Sequence, residues 1–209
     1  MISYSTNQKK NLKIVRNIVV DWFTKCPVPA HSFRHAQRTA IFARTIARSE
    51  KGANIFLCEL AGYLHDIGRV PEFLGEKPGI RHHELSYDLL RVWFKEKSFD
   101  FLTVAEKKEI LYAVRYHWND EADGFQTAWI LRDADKLDMF GHEGVRRSFS
   151  LTDKNNMEKF MVGLRLRYHA LANLRTKSAK KIMTTKKLFD PIENHMRKML
   201  KKAIVPVEL

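Results

Sequence analysis

Apolar positions recur at helical spacing along most of the chain. Residues 11–23 carry Leu12, Val15, Ile18, Val19 and Trp22 at i, i+3, i+4, i+7 spacing, which predicts an amphipathic helix. Cys26-Pro27-Val28-Pro29 breaks it. Residues 33–49 predict a second helix with Ala36, Ala40, Ala43 and Ala47 on one side, small enough to let a neighbour come close. Asn54 is the expected cap of a third, with Leu57, Leu60, Ala61 and Leu64 inward and Gly68 as its end.

Residues 69–81 hold two prolines and two glycines and read as a loop. A helix over 82–96 is expected to turn Leu85, Leu89, Val92 and Trp93 inward. Thr103 and Glu106 have capping-box spacing and open another, with Ile110, Val114 and His117 on one face. After a loop at 119–124, residues 127–140 predict a helix that buries Ile130, Leu131, Ala134 and Leu137. A long helix from about 154 is expected to use Met157, Phe160, Met161, Leu164, Tyr168 and Leu171. A last one, with Asp190 as cap and Pro191 in its first turn, uses Ile192, Met196, Met199 and Leu200. No run alternates at strand period. The reading is all-α, with a core bundle over residues 1–150 and a helical extension over 151–209.

Composition narrows the class. The 209 residues are 44% hydrophobic with 9 Gly and 6 Pro, as in an ordinary globular chain. No apolar stretch approaches membrane-spanning length and MISYSTNQKK has no signal-type core, so the expectation is a cytoplasmic protein with no membrane partner. Two cysteines, Cys26 and Cys58, give no disulfide framework. The net charge is +13, and residues 175–202 hold ten Lys/Arg against Asp190 and Glu193. That density suits a solvated basic face or a nucleic-acid contact, and the extension can equally form a homodimer contact.

The chemistry lies in AGYLHDIGR, residues 61–69. A buried carboxylate beside a histidine needs a partner. His35, the pair His65-Asp66, His82 or His83, His117 and Asp135 each lie on or beside the apolar stripe of a separate predicted helix. Helical bundles assemble metal sites from such inward groups. Imidazole and carboxylate together suit Mn, Fe, Co, Ni, Zn or Mg. Two further groups sit near these positions. His31 precedes His35 by four and reads as a loop residue. Asp138 is placed to orient a ligand histidine or to pair with a lysine.

HSFRHAQRT around His35, LHDIGR around His65-Asp66 and ILRDADKLDMFG around Asp135 together resemble the HD-domain superfamily of metal-dependent phosphohydrolases, over roughly residues 30–145. The resemblance implies an all-α HD-domain helical bundle, here with a C-terminal helical extension. It implies His35, His65, Asp66 and Asp135 as ligands of a divalent metal ion, with His65 and Asp66 catalytic. The segment HHELSYDLL resembles binuclear members in which a histidine stands four residues before a small residue. Ser86 then selects His82, and His82 with His117 would serve a second ion. Arg38, Arg69 and Lys136 are the cations expected on the phosphate.

The chain departs from the cyclic-dinucleotide phosphodiesterases, since Trp118-Asn119 follows His117 and no Gly-Tyr-Pro occurs. It also lacks the acidic pair that follows the His-Asp of alarmone hydrolases. The expected activity is hydrolysis of a phosphoester or phosphoanhydride in a nucleotide or related small phosphate. An RNA nuclease or cyclic-phosphate phosphodiesterase, and a non-catalytic nucleotide-binding regulatory module, are the alternatives.

Overall fold

Small residues decide how closely the central helices approach. The computed structural model describes residues 4–151 and 157–203, and among these every regular element is helical. The order is α1 (Thr6–Thr24), α2 (Phe33–Ala47), α3 (Ile55–Leu64), α4 (Arg69–Leu74), α5 (His82–Trp93), α6 (Val104–Arg115), α7 (Gln126–Leu137), α8 (Gly141–Leu151), α9 (Met157–Ala172), α10 (Lys177–Thr185) and α11 (Asp190–Ala203), with a 3-10 turn at Lys97–Phe99. Helices α2 and α3 form the most extensive interface. Ala36, Ala40, Ala43 and Ala47 of α2 are all buried there. Opposite them, a β-carbon on Gly62 would lie 2.5 Å from the Ala40 Cα, so this spacing exists only because Gly62 has none.

The pair α2–α3 separates two apolar clusters. One joins Val15 and Val19 of α1, Leu60 and Leu64 of α3, Leu90 of α5, and Ile110 and Val114 of α6. The other joins Ile46, Cys58, Ile130 and Leu137 to Leu164, Leu174, Met183 and Ile192. Each fully buried aliphatic side chain contributes about 1.5–3 kcal/mol. Both cysteines are buried and free. No described helix is long and apolar enough to cross a membrane.

Several expected ends are where the local chemistry put them. Asn54 accepts the Leu57 N–H (3.2 Å). Thr103 and Glu106 exchange both bonds of a capping box (3.2 and 2.8 Å). A second box, between Ser5 and Gln8 (3.1 and 3.0 Å), starts α1 at Thr6, five residues before the expected start at 11.

Other expectations need correction. Residues 69–74 are a helix rather than loop. Pro71 lies in its first turn, where a missing N–H costs nothing, and Val70 and Pro71 are buried. Helix α3 ends at Leu64, four residues before Gly68, and a tight turn carries the chain into α4. Val92 faces solvent at 61% exposure, because the inward stripe of α5 runs through Leu85, Ser86 and Leu90. On α9 Leu164 is buried, but Met161 and Tyr168 are about half exposed, since that helix packs through a narrower strip than its periodicity suggests. Helices α8 and α10 have no counterpart among the elements that periodicity predicts. Helix α11 starts at Asp190 itself, so this residue is in the first turn and is not the cap. The start expected near 154 and the side chains of Met157, Phe160, Met199 and Leu200 lie outside the described residues.

Candidate metal centre

Four imidazoles and two carboxylates converge where five segments meet. His35 comes from the first turn of α2 and Asp135 from the last turns of α7. His65 caps α3, and Asp66 follows in the turn toward α4. His82 opens α5, and His117 lies two residues past the end of α6.

A glycine and a serine fix the middle of this arrangement. The Gly68 N–H donates to the Ser86 hydroxyl (2.8 Å). A β-carbon on Gly68 would sit 2.1 Å from the His82 carbonyl oxygen and 2.4 Å from the Ser86 nitrogen. The turn bearing Asp66 therefore presses against the start of α5, which brings His82 to the carboxylate. The small residue four positions after His82 has a physical role: it receives this turn.

The polar atoms fall into two groups that share Asp66. In the first, His35 Nε2 lies 3.2 Å from His65 Nε2, 3.4 Å from Asp66 Oδ2 and 3.3 Å from Asp135 Oδ1. His65 Nε2 lies 3.6 Å from both of those oxygens. In the second, Asp66 Oδ1 is 3.5 Å from His82 Nε2 and 4.0 Å from His117 Nε2, and the two nitrogens are 3.4 Å apart.

The hydrogen bonds on the far sides of the rings decide what these atoms can do. His65 Nδ1–H donates to the Gly62 carbonyl (2.9 Å) and His117 Nδ1–H to the Val114 carbonyl (2.7 Å). His35 Nδ1–H donates to Asp138 Oδ2 (2.7 Å). In each neutral ring the proton is thus spent on Nδ1, and Nε2 presents a lone pair. Lone pairs of His65 and His117 then face carboxylate oxygens with no hydrogen between them, and His35 would join them by giving up its Nε2 proton in favour of an ion. Asp66 Oδ1 is buried with no hydrogen-bond partner. A dense set of acceptors without donors is a cation site. Three sets of ligand atoms, each mutually within 4.8 Å, can hold an ion: His35-His65-Asp135, Asp66-His82-His117, and His31-His35-Asp66.

The electrostatics differ between the groups. Burial opposes charge on His35, but hydrogen bonds to Asp135, Asp138 and Asp66 prevail and carry its imidazole up to about 10. Burial, aided by Arg69, His117 and His83 against the pull of Asp66, pushes His82 down to about 2; on His117 burial, aided by neighbouring His65, pushes the ring down to about 4. Burial also works against ionised Asp66 and Asp135, yet the surrounding histidines hold both carboxyls well below the usual range.

A second layer surrounds His35. Asp138 accepts from Arg38 through both oxygens (2.6 and 3.0 Å) and from Arg147 of α8. Arg147 also donates to the Ala30 carbonyl (2.7 Å). Asp138 therefore orients His35, the second-layer alternative that the sequence left open beside pairing with a lysine.

Of the cations expected on a phosphate, Arg38 is engaged by Asp138. Arg69 donates to Glu72 (2.8 Å) and keeps its buried Nε without a hydrogen-bond partner, 3.6 Å from Asp66 Oδ1. Lys136 is not brought to the cluster: its Nζ binds Asp120 and the Asn173 carbonyl. Asp133 is likewise elsewhere, accepting from the backbone of Arg175 and Thr176 (3.0 and 2.7 Å).

Sequence reasoning missed three participants. His31 is in a loop, but its Nδ1–H donates to Asp66 Oδ2 (2.8 Å). Its four-residue spacing from His35 was visible; the chain turn that exploits it was not. Glu72 accepts the His82 N–H (3.0 Å) from α4. Arg147 carried no local signal.

The HD domain family model matches residues 32–139, just over half of the chain. No curated protein matches. Among solved structures, a predicted HD superfamily hydrolase from an uncultured Thermotogales bacterium is 27% identical, with 78% of this chain and 91% of that one covered at a TM-score of 0.55. Bacillus subtilis YpgQ, solved with ADP, shares the fold at 17% identity, with 96% and 97% covered and a TM-score of 0.69. The Lin1889 protein of Listeria innocua does so at 19% identity, with 96% and 100% covered and a TM-score of 0.66.

Proposed function

The chain belongs to the HD domain family, and on that premise we propose that it is a metal-dependent phosphohydrolase acting on a nucleotide or related small phosphate. The observation that carries this reading is the convergence of imidazole lone pairs and two ionised carboxylates on one buried point. The complex of similarly folded YpgQ with ADP supports a nucleotide as the phosphate.

In this reading His35, His65, Asp66 and Asp135 hold one divalent ion, and His82, His117 and Asp66 a second. Such ions lower the pKa of a bound water and draw charge from phosphoryl oxygens. The side chains do the rest. Asp66 offers one oxygen to each group, so it sets their separation. Asp138 accepts the His35 Nδ1–H and so turns Nε2 toward the ion. His31 holds Asp66 Oδ2 in place. Arg69, beside Asp66 with an unused Nε–H, is placed to neutralise charge on a phosphate oxygen.

The test is a hydrolysis screen over nucleoside mono-, di- and triphosphates, cyclic phosphates and a short RNA, in Mn²⁺, Mg²⁺, Fe²⁺, Co²⁺, Ni²⁺ or Zn²⁺. Asp66→Ala serves as control. Turnover of a nucleotide that vanishes in the control is the expected result. Metal verified as bound with no turnover of any substrate would sink the enzyme reading and favour a binding module. The exposed lysines of α10 motivate an RNA substrate as the second reading, and turnover confined to RNA would select it.

A further inference from the structure

Trp118 is the one indole among the exposed large apolar side chains of the described residues. It is 58% exposed, although the preceding residue, His117, is buried in the cluster. Leaving an indole in water has a cost that packing elsewhere would remove. The other indoles have partners: Trp22 donates to the Ile67 carbonyl (2.8 Å) and packs on Trp93, and Trp129 lies under Arg175.

Trp118 is also held in place. The His83 ring lies 5.2 Å from it at 32°, a tilted stack that covers one side of the indole. His83 is buried, packs edge-on to His82 at 5.3 Å, and lies 6.4 Å from the His117 ring. Its buried Nδ1 has no hydrogen-bond partner, so ring packing rather than polar bonding defines its contact with Trp118. The backbone is equally fixed, since the Asn119 N–H donates to the Tyr116 carbonyl (3.1 Å) and His117 is pinned to Val114. The result is a pre-set aromatic plane, backed by one imidazole and one ring removed from the Asp66-His82-His117 group.

We infer that Trp118 is the platform on which a nucleobase stacks while the phosphates of the same molecule reach the metal centre. The inference rests on the nucleotide reading above and deepens it. Stacking on an indole tolerates any base, because every base has a π-face. Trp118 would therefore give affinity for nucleotides over bare phosphates without strong choice among bases.

The test measures binding and leaves turnover aside. The full-length Mn²⁺-loaded protein is titrated with α,β-methylene-ADP and with its base-free counterpart, methylenediphosphonate, by calorimetry. Wild type is compared with Trp118→Ala and Trp118→Phe, whose folding is checked by thermal melts. The expected result is a loss of affinity for the nucleotide of about tenfold in Trp118→Ala, with partial recovery in Trp118→Phe. Methylenediphosphonate affinity should move far less. Quenching of tryptophan fluorescence by the nucleotide should disappear in both variants. Equal affinity for the two probes in wild type, or equal loss for both in Trp118→Ala, overturns the platform. Trp118-dependent nucleotide binding without hydrolysis of any nucleotide would retain the platform and remove the phosphohydrolase reading.

Discussion

The two halves of the metal centre are built to different tolerances. Around His35 and His65 each ring is tied down on its far side, and Asp138, Arg38 and Arg147 form a layer of charge behind His35. Around His82 the support is thinner: Glu72 holds only its backbone N–H, and Glu72 Oε1 is 3.6 Å from the ring Nδ1. Burial disfavours charge on all three histidines, but only His35 has the hydrogen bonds to outweigh it. Carboxylates hold a proton on His35, whereas His82 and His117 are neutral at ordinary pH. In one half both rings are braced and His35 holds an extra proton; in the other His117 is pinned to Val114, the His82 ring has no hydrogen bond on its far side, and both rings are neutral.

Removing the shared ligand erases the contrast and has the largest expected effect. Asp66→Ala should lose both ions by elemental analysis and lower activity by at least about a thousandfold, with helicity by circular dichroism retained. Retention of one full equivalent of metal would show that the halves do not share Asp66. Next in size is Asp138→Asn, which weakens the hold on His35. It should cost about 10–100-fold in affinity for the ion that His35 holds and leave the other nearly unchanged.

Protons sharpen the comparison further. Ligands bind metal deprotonated, so the first half must release the His35 proton on loading below about pH 10, and its affinity should rise with pH up to that point. The second half releases none above about pH 4, where His117 is already neutral. Calorimetry in buffers of different ionisation enthalpy should read about one proton for the first equivalent and about none for the second. The smallest effect is expected from Glu72→Gln, a few-fold weakening confined to the second ion, because the amide still accepts the His82 N–H.

Much of this was legible beforehand, and what was not has physical reasons. Periodicity placed α1, α2, α5, α6 and α7 by their apolar stripes, whereas α3, all ten of whose residues are buried, was marked by its apolar run after Asn54. The short α4 was hidden because proline and glycine signal a break unless a first turn accommodates them. His65-Asp66 could be singled out because a carboxylate at the end of an apolar run demands a partner. The choice of His82 over His83 came from the position of Ser86, and the structure shows that hydroxyl receiving the Gly68 N–H. His31 and Arg147 could not be read, because both reach the cluster through loop geometry and long-range packing. Lys136 follows Asp135 in sequence, but adjacent helical residues point about 100° apart, which sends its ammonium to Asp120.

The contact between Arg147 and the Ala30 carbonyl bears on how this fold can be cut and recombined. Both residues lie outside the matched span of 32–139, one at each end. A fragment trimmed to that span would keep all six converging ligands and yet lose a guanidinium from behind Asp138. Grafts and chimeras of this centre therefore need boundaries set by the clasp that closes the chain's two flanks, not by the stretch that carries the ligands.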